Sequence, residues 1–141
     1  MKTDYICKIA DLSEMERKWD DEIARAGENR ANWAVWKTGA LRNREAGWTL
    51  PYYGILKGEI ICEATAHLCP KTVQNAEGLV DERTAYLSAF RTVPAYQGQG
   101  YFSRLFRFML DDLRGRGYEA ITVGVEPQDE TNRAIYAHYG F

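Results

Sequence analysis

The sequence predicts a mixed α/β fold, a sheet flanked by helices and paired partly antiparallel and partly parallel. Three observations carry that prediction. Residues 52–56, the dipeptide Lys57-Gly58 and residues 59–67 form two β-prone runs joined by a two-residue turn, the pattern of an antiparallel hairpin. Residues 84–93, an amphipathic helix and residues 120–126 form a strand–helix–strand unit, which implies a right-handed parallel crossover. Between that strand and helix lies the glycine-rich turn Gln97-Gly98-Gln99-Gly100.

Bulk properties limit the classes of function. At 141 residues the chain fits one domain, residues 1–141, and can bury a substantial core. Apolar residues make up 45% and charged residues 27%, as in a globular protein. A net charge of −2 gives no basic footprint for nucleic acid. No apolar run approaches a membrane span, and the start Met1-Lys2-Thr3-Asp4 lacks the apolar core of a signal peptide. Cytoplasm is the expected location. The three cysteines, Cys7, Cys62 and Cys69, are odd in number and show no CxxC spacing, so reduced thiols are expected rather than a disulfide framework. With only His67 and His138 available as imidazole ligands, far apart in sequence, no zinc site is expected.

The elements follow in order. Residues 5–9 read as a first strand. Ser13 and Glu16 have the spacing of a capping box, and Met15, Trp19 and Ile23 recur at i, i+4, i+8 on one helical face. Gly27 is a stop signal. Trp33, Trp36, Ala40 and Leu41 predict a second amphipathic helix ending near Gly47. After the hairpin, residues 70–82 have loop chemistry. Phe102, Leu105, Phe106, Met109, Leu110 and Leu113 give the clearest helical stripe, ended by Gly115 and Gly117. In the next strand Ile121, Val123 and Val125 alternate with Thr122, Gly124 and Glu126. Asp129 or Thr131 can cap a last helix reaching about His138. The order is β-α-α-β-β-β-α-β-α.

The turn after Ala95 is the main functional signal. Consecutive N–H groups at a helix start have no helical partner, and the helix dipole adds positive charge there. Together they form a site for a phosphate or diphosphate. The alternative is an ordinary glycine turn at a helix N-terminus. A Rossmann fingerprint needs a third glycine where Ser103 stands, and a P-loop needs Gly-Lys-Ser/Thr where Tyr101 and Phe102 follow Gly100.

These residues resemble the GCN5-related N-acetyltransferase (GNAT) superfamily. Its cofactor motif, Gln/Arg-x-x-Gly-x-Gly/Ala, aligns with Gln97-Gly98-Gln99-Gly100-Tyr101-Phe102; Phe102 departs from the final Gly/Ala. A second signature, a tyrosine followed four residues later by Gly-Phe, aligns with Tyr136-Ala137-His138-Tyr139-Gly140-Phe141. The resemblance covers most of residues 52–141. It implies a central mixed, mostly antiparallel sheet whose fourth and fifth strands splay in parallel to admit acetyl-CoA as co-substrate. It implies a diphosphate on amides from Gly98 to Ser103, through Gln99, Tyr101 and Phe102, with Gln97 orienting the loop. The pantetheine arm would pair with backbone of Arg91, Thr92 and Val93. GNAT domains usually continue past Gly-Phe, whereas this chain stops at Phe141. The C-terminal strands are thus expected to be missing through shortening or supplied by another chain, for example in a homodimer, with part of the acceptor site absent.

The implied reaction is transfer of acetyl from acetyl-CoA to a primary amine, on a small molecule or a peptide, by direct attack. The alternative is a CoA-binding sensor or assembly module without turnover. Tyr136 aligns with the family tyrosine near the cofactor sulfur, where its phenol protonates the leaving thiolate. For the base, Glu126 ends the fifth strand beside the expected gap, while Glu63 and His67 share a face of the hairpin strand. Glu63 is expected on a solvated face. The four tryptophans, Trp19, Trp33, Trp36 and Trp48, are expected in the core, with the floor of an acceptor pocket as the other reading. Arg42 and Arg44 are expected at a solvated helix end, and Tyr139 in packing. A Cys69–His67 thiol pair is the least favoured reading, since nothing nearby orients it.

Overall fold

The computed structural model describes residues 4–73, 76–124, 134 and 137–140. Its elements are β1 (Tyr5–Ile9), α1 (Leu12–Arg25), α2 (Arg30–Glu45), β2 (Thr49–Leu56), β3 (Glu59–His67), β4 (Thr84–Thr92), α3 (Tyr101–Gly115) and β5 (Ala120–Val123). Of the expected last helix, Ala134, Ala137 and His138 are described, and they are helical. Its caps Asp129 and Thr131, like Glu126 and Tyr136, lie outside the described residues.

The five strands lie in the order β1-β2-β3-β4-β5. The first three pairings are antiparallel and β4–β5 is parallel, as the hairpin and the crossover predict. β2 begins at Thr49, earlier than expected, and runs through Pro51, which pairs with Thr65. All but the last residue of β2 are buried, because both faces of the strand are covered.

α1 starts earlier than its sequence suggested. Asp11, in extended backbone, caps it: its carboxylate accepts from Glu14 N–H at 2.8 Å, and the Glu14 carboxylate accepts from Asp11 N–H at 3.0 Å. Asp11/Glu14 has the same spacing as Ser13/Glu16, and aspartate caps as well as serine does. The competing box therefore lies inside the helix. α1 ends at Arg25, and Gly27 opens a short 3-10 turn into α2.

The sheet divides two apolar layers. On one side α3 buries Leu105, Phe106, Met109 and Leu113 against Tyr5, Leu50, Tyr52, Ile61 and Leu87. On the other, Met15 of α1 packs with Ala10, Tyr53 and Ile55, with Trp19, Ala40 and Leu41 around them. Tyr52 and Tyr53 point to opposite layers because successive strand residues alternate. Tyr52 donates its hydroxyl to the Asp112 carboxylate at 2.6 Å, joining the centre of the sheet to α3. α2 departs from its expected amphipathic packing: none of its residues is buried, and Val35 and Trp36 are exposed.

Tyr5 fixes where α3 begins. Its hydroxyl donates to Tyr101 O at 2.8 Å, its ring lies 4.7 Å from the Tyr101 ring, and Arg104 covers it at 4.8 Å. Room for that hydroxyl exists only because residue 54 is glycine; a Cβ there would lie 2.1 Å from the Tyr5 oxygen. We expect Gly54→Ala to lower folding stability by about 1–3 kcal/mol, the usual cost of overpacking, read from denaturant unfolding. A Gly54→Ala/Tyr5→Phe double variant should recover part of that loss.

Candidate active site

β4 carries the site because it is bound differently along its two edges. It pairs with β3 from Tyr86 to Thr92, while its register with β5 among the described residues runs from Thr84↔Ala120 to Leu87↔Val123. The β3 register shifts between Glu63↔Arg91 and Thr65↔Ser88, so β4 holds one extra residue there. Ala89 lies in that bulge with φ +59°, a backbone angle few residues other than glycine adopt. Such strain, of order 1–3 kcal/mol, persists where the surroundings enforce it.

Past the bulge, an open cleft of about 540 Å³ lies at the N-terminus of α3. Phe90, Arg91 and Thr92 line one side, and Gln97, Gly98, Gly100, Tyr101, Phe102 and Ser103 line the other. Gly98 and Gly100 adopt φ of +74° and +88°, and among the described residues a Cβ at either would meet no atom within 4 Å beyond its chain neighbours. Glycine is therefore used for its backbone angle, and the space beside the turn is open to a ligand. Gln97 Nε2 donates to Thr92 O at 3.1 Å, tying the turn to β4, and Gln99 Nε2 donates to Ala95 O at 3.1 Å. Phe102 does not crowd the turn: its ring packs against Phe90, Phe106 and Tyr139. The Ser103 hydroxyl hydrogen-bonds the Tyr139 hydroxyl at 2.7 Å, and the Tyr139 ring stacks 4.4 Å from Phe106, the packing part expected of it.

Two of the anticipated contacts fall outside this lining. The Val93 N–H is spent on Ile61 O at 2.8 Å, which turns it toward β3, and Val93 lines a surface groove with Pro94 and Lys57 instead. Gln99 is likewise absent from the described lining, its side chain folded onto the loop. Tyr96 and His138, which do line the cleft, stand outside the specified positions of both motifs, His138 at an unspecified position of the second.

A second cavity, about 380 Å³, opens on the α1–α2 side. Phe90 and Arg91 line this one too, so the two spaces meet at β4. Trp19, Trp33 and Tyr53 give it aromatic walls; Ser88, His67, Thr65 and Asn43 give it polar ones. Trp19 and Trp33 thus wall a pocket, while Trp36 is exposed, and Trp48 is half-buried with Lys71 over its ring at 5.2 Å.

Glu63 does not lie on a solvated face. It is 7% exposed, with Oε1 3.1 Å from Lys18 Nζ and Oε2 2.8 Å from Arg91. Arg91 also pairs with Glu22 of α1. Alternation within β3 could not reveal that α1 covers this face. Burial opposes the Glu22 charge, but the Arg91 hydrogen bond and charge prevail and hold its carboxyl below the usual range. Arg44 also leaves the solvated role expected of it, donating from Nε to Ala10 O at 3.1 Å.

His67 is fully engaged. Nδ1 lies 2.8 Å from Thr72 Oγ1 and Nε2 lies 2.8 Å from Ser88 Oγ. Neither nitrogen is used for Cys69, so the thiol pairing has no geometry to support it. Burial pushes the imidazole pKa down, keeping it neutral at neutral pH. Burial likewise raises the Cys62 and Cys7 thiols, which stay protonated.

Among the described residues no helix is long and apolar enough to cross a membrane. Comparison with known proteins agrees with the fold. None of the curated proteins matches the sequence significantly. AAC(6')-Iy bound to the bisubstrate analogue CoA-S-monomethyl-acetylneamine superposes with a TM-score of 0.73 at 13% identity, over 99% of this chain and 91% of that one. A transcriptional regulator from Bacillus halodurans gives 0.69 at 20% identity, over 97% and 92%. An acetyltransferase predicted from Clostridium acetobutylicum, holding acetyl-CoA, gives 0.65 at 14% identity, over 97% and 89%. At these identities the likeness concerns the fold. The model of the Acetyltransferase (GNAT) family matches residues 9–141, nearly the whole chain, and the protein belongs to that family of acetyl-CoA-dependent acetyltransferases.

Proposed function

We propose that the protein acetylates a primary amine, with acetyl-CoA in the cleft beside α3 and the amine in the cavity beside α1 and α2. The observation that carries this reading is the shared wall: Phe90 and Arg91 line both spaces, so donor and acceptor meet beside β4. The diphosphate rests on amides between Gly98 and Ser103, where the dipole of the 15-residue α3 favours negative charge. Gln97 holds the turn, and Arg91 and Thr92 offer backbone to the pantetheine amides. Acetyl-CoA supplies an acyl group whose thiolate leaves readily; the chain positions it. Tyr136 takes the role of acid toward that thiolate, on the strength of its place in the second motif.

The cavity also favours an acceptor with a neutral, aromatic or apolar body. Glu63 is the carboxylate in its described lining, and Lys18 and Arg91 already neutralise it. Among the described lining residues a polycation would find no free anionic partner, and Trp19, Trp33 and Tyr53 present ring faces and edges.

Gly100→Asp should abolish acetyl-CoA binding, measured by calorimetry on folded protein, since it sets a negative charge and a strained side chain beside the diphosphate. Unchanged affinity would remove this cleft from consideration. Tyr136→Phe should lower kcat by about 10- to 100-fold with acetyl-CoA affinity intact, and equal turnover would reduce Tyr136 to packing. Free CoA thiol released with a panel of amines establishes turnover; tight binding with no release would make the protein a CoA-binding module instead.

A further inference from the structure

We propose that Ser88 and His67 form a proton relay at the acceptor cavity, Ser88 meeting the amine nitrogen and His67 storing the proton. This rests on the reading that the second cavity holds the amine. Thr72 fixes the direction of the relay. With its hydroxyl proton on Cys69 O at 3.0 Å, as the relay requires, its oxygen accepts from His67 Nδ1 at 2.8 Å. Nδ1 of His67 therefore carries the ring proton. The Nε2 lone pair then faces Ser88 Oγ at 2.8 Å and accepts its proton. The result is a serine aligned on a base that a third group orients.

Placement agrees with that chemistry. Ser88 and His67 both line the second cavity, and Ser88 directly precedes the bulge at Ala89, two residues from the Phe90 shared with the cofactor cleft. The other ionisable groups facing the cavity are less suited to the task. Both oxygens of Glu63 are engaged by Lys18 and Arg91, and Glu22 holds Arg91 from α1. Burial and the Glu63 charge raise the Tyr53 phenol, which stays protonated. Tyr86 packs its ring 5.6 Å from His67. A buried, neutral imidazole is available as a base at neutral pH.

The step balances. A neutral amine attacks the thioester carbon, and its nitrogen turns acidic as the C–N bond forms. One N–H proton passes to Ser88 Oγ while the Ser88 proton passes to His67 Nε2. The C–S bond breaks with its electron pair on sulfur, the thiolate takes up a proton, and the imidazolium returns its own to solvent. Amide and thiol are the products. A weak base suffices because the proton moves during attack.

The test uses the full chain with acetyl-CoA and benzylamine as the acceptor probe. His67→Gln and Ser88→Ala should each lower kcat about 100-fold with the KM for acetyl-CoA unchanged, and the double variant should lose little more. The acidic limb of the wild-type kcat–pH profile should vanish in His67→Gln. Wild-type kcat in both variants, or a Glu126→Gln variant that abolishes that limb while His67→Gln retains it, would overturn the relay but leave the acetyltransferase reading standing. No CoA release by the wild type would overturn both. Imidazole ¹⁵N shifts of the resting protein give a check independent of turnover: a proton on Nδ1 is expected, and a proton on Nε2 overturns the relay.

Discussion

The site depends on one constraint, the unequal pairing of β4. Among the described residues, the strand follows β3 to its end at Thr92 and is paired with β5 as far as Leu87. A strand held along both edges would present no gap. Here the bulge at Ala89 lies just past the described β5 register, and the residues beyond it serve as a wall with a cavity on each side. The bulge belongs to β4 itself and the parallel register to its pairing with β5, yet they act together: one re-aims Phe90 and Arg91, the other exposes them.

The two sides of that wall are built to different standards. On the cofactor side, the stripe of α3 is buried against the sheet, and Tyr5 and Tyr52 pin its beginning and its later turns. A fixed helix start suits a site whose donors are backbone amides, since their aim is the aim of the helix. On the side of the second cavity, α2 buries none of its residues. It is held by the Trp19–Trp33 ring contact, by Lys37 to Asp20 at 2.8 Å and by Arg44 to the Ala10 carbonyl. Few buried contacts mean a low cost of local opening.

The ion pairs join these halves. Lys18 and Glu22 come from α1, Glu63 from β3 and Arg91 from β4. Burying this many charges brings little net stability, because desolvation cancels most of the attraction. What the cluster supplies is position: it draws α1 over the sheet face and fixes the Arg91 side chain at the junction of the two cavities.

Much was readable from the sequence alone. The hairpin, the crossover, the stripe of α3 and the angles required of Gly98 and Gly100 follow from side-chain periodicity and from the conformations a glycine permits, both local properties. The family was readable too, in two short motifs. The acceptor side was not, because its residues are scattered over α1, α2, β2, β3 and β4 and none forms a motif. Glu63 looked solvated since alternation along a strand does not reveal what covers either face. The Thr72–His67–Ser88 chain was hidden for a similar reason. Its three members become neighbours only when β3 pairs with β4 in one register and the loop after β3 folds back. Local chemistry thus determined the glycine turn at the start of α3, and only the long-range pairing of strands decided which side chains line the second cavity.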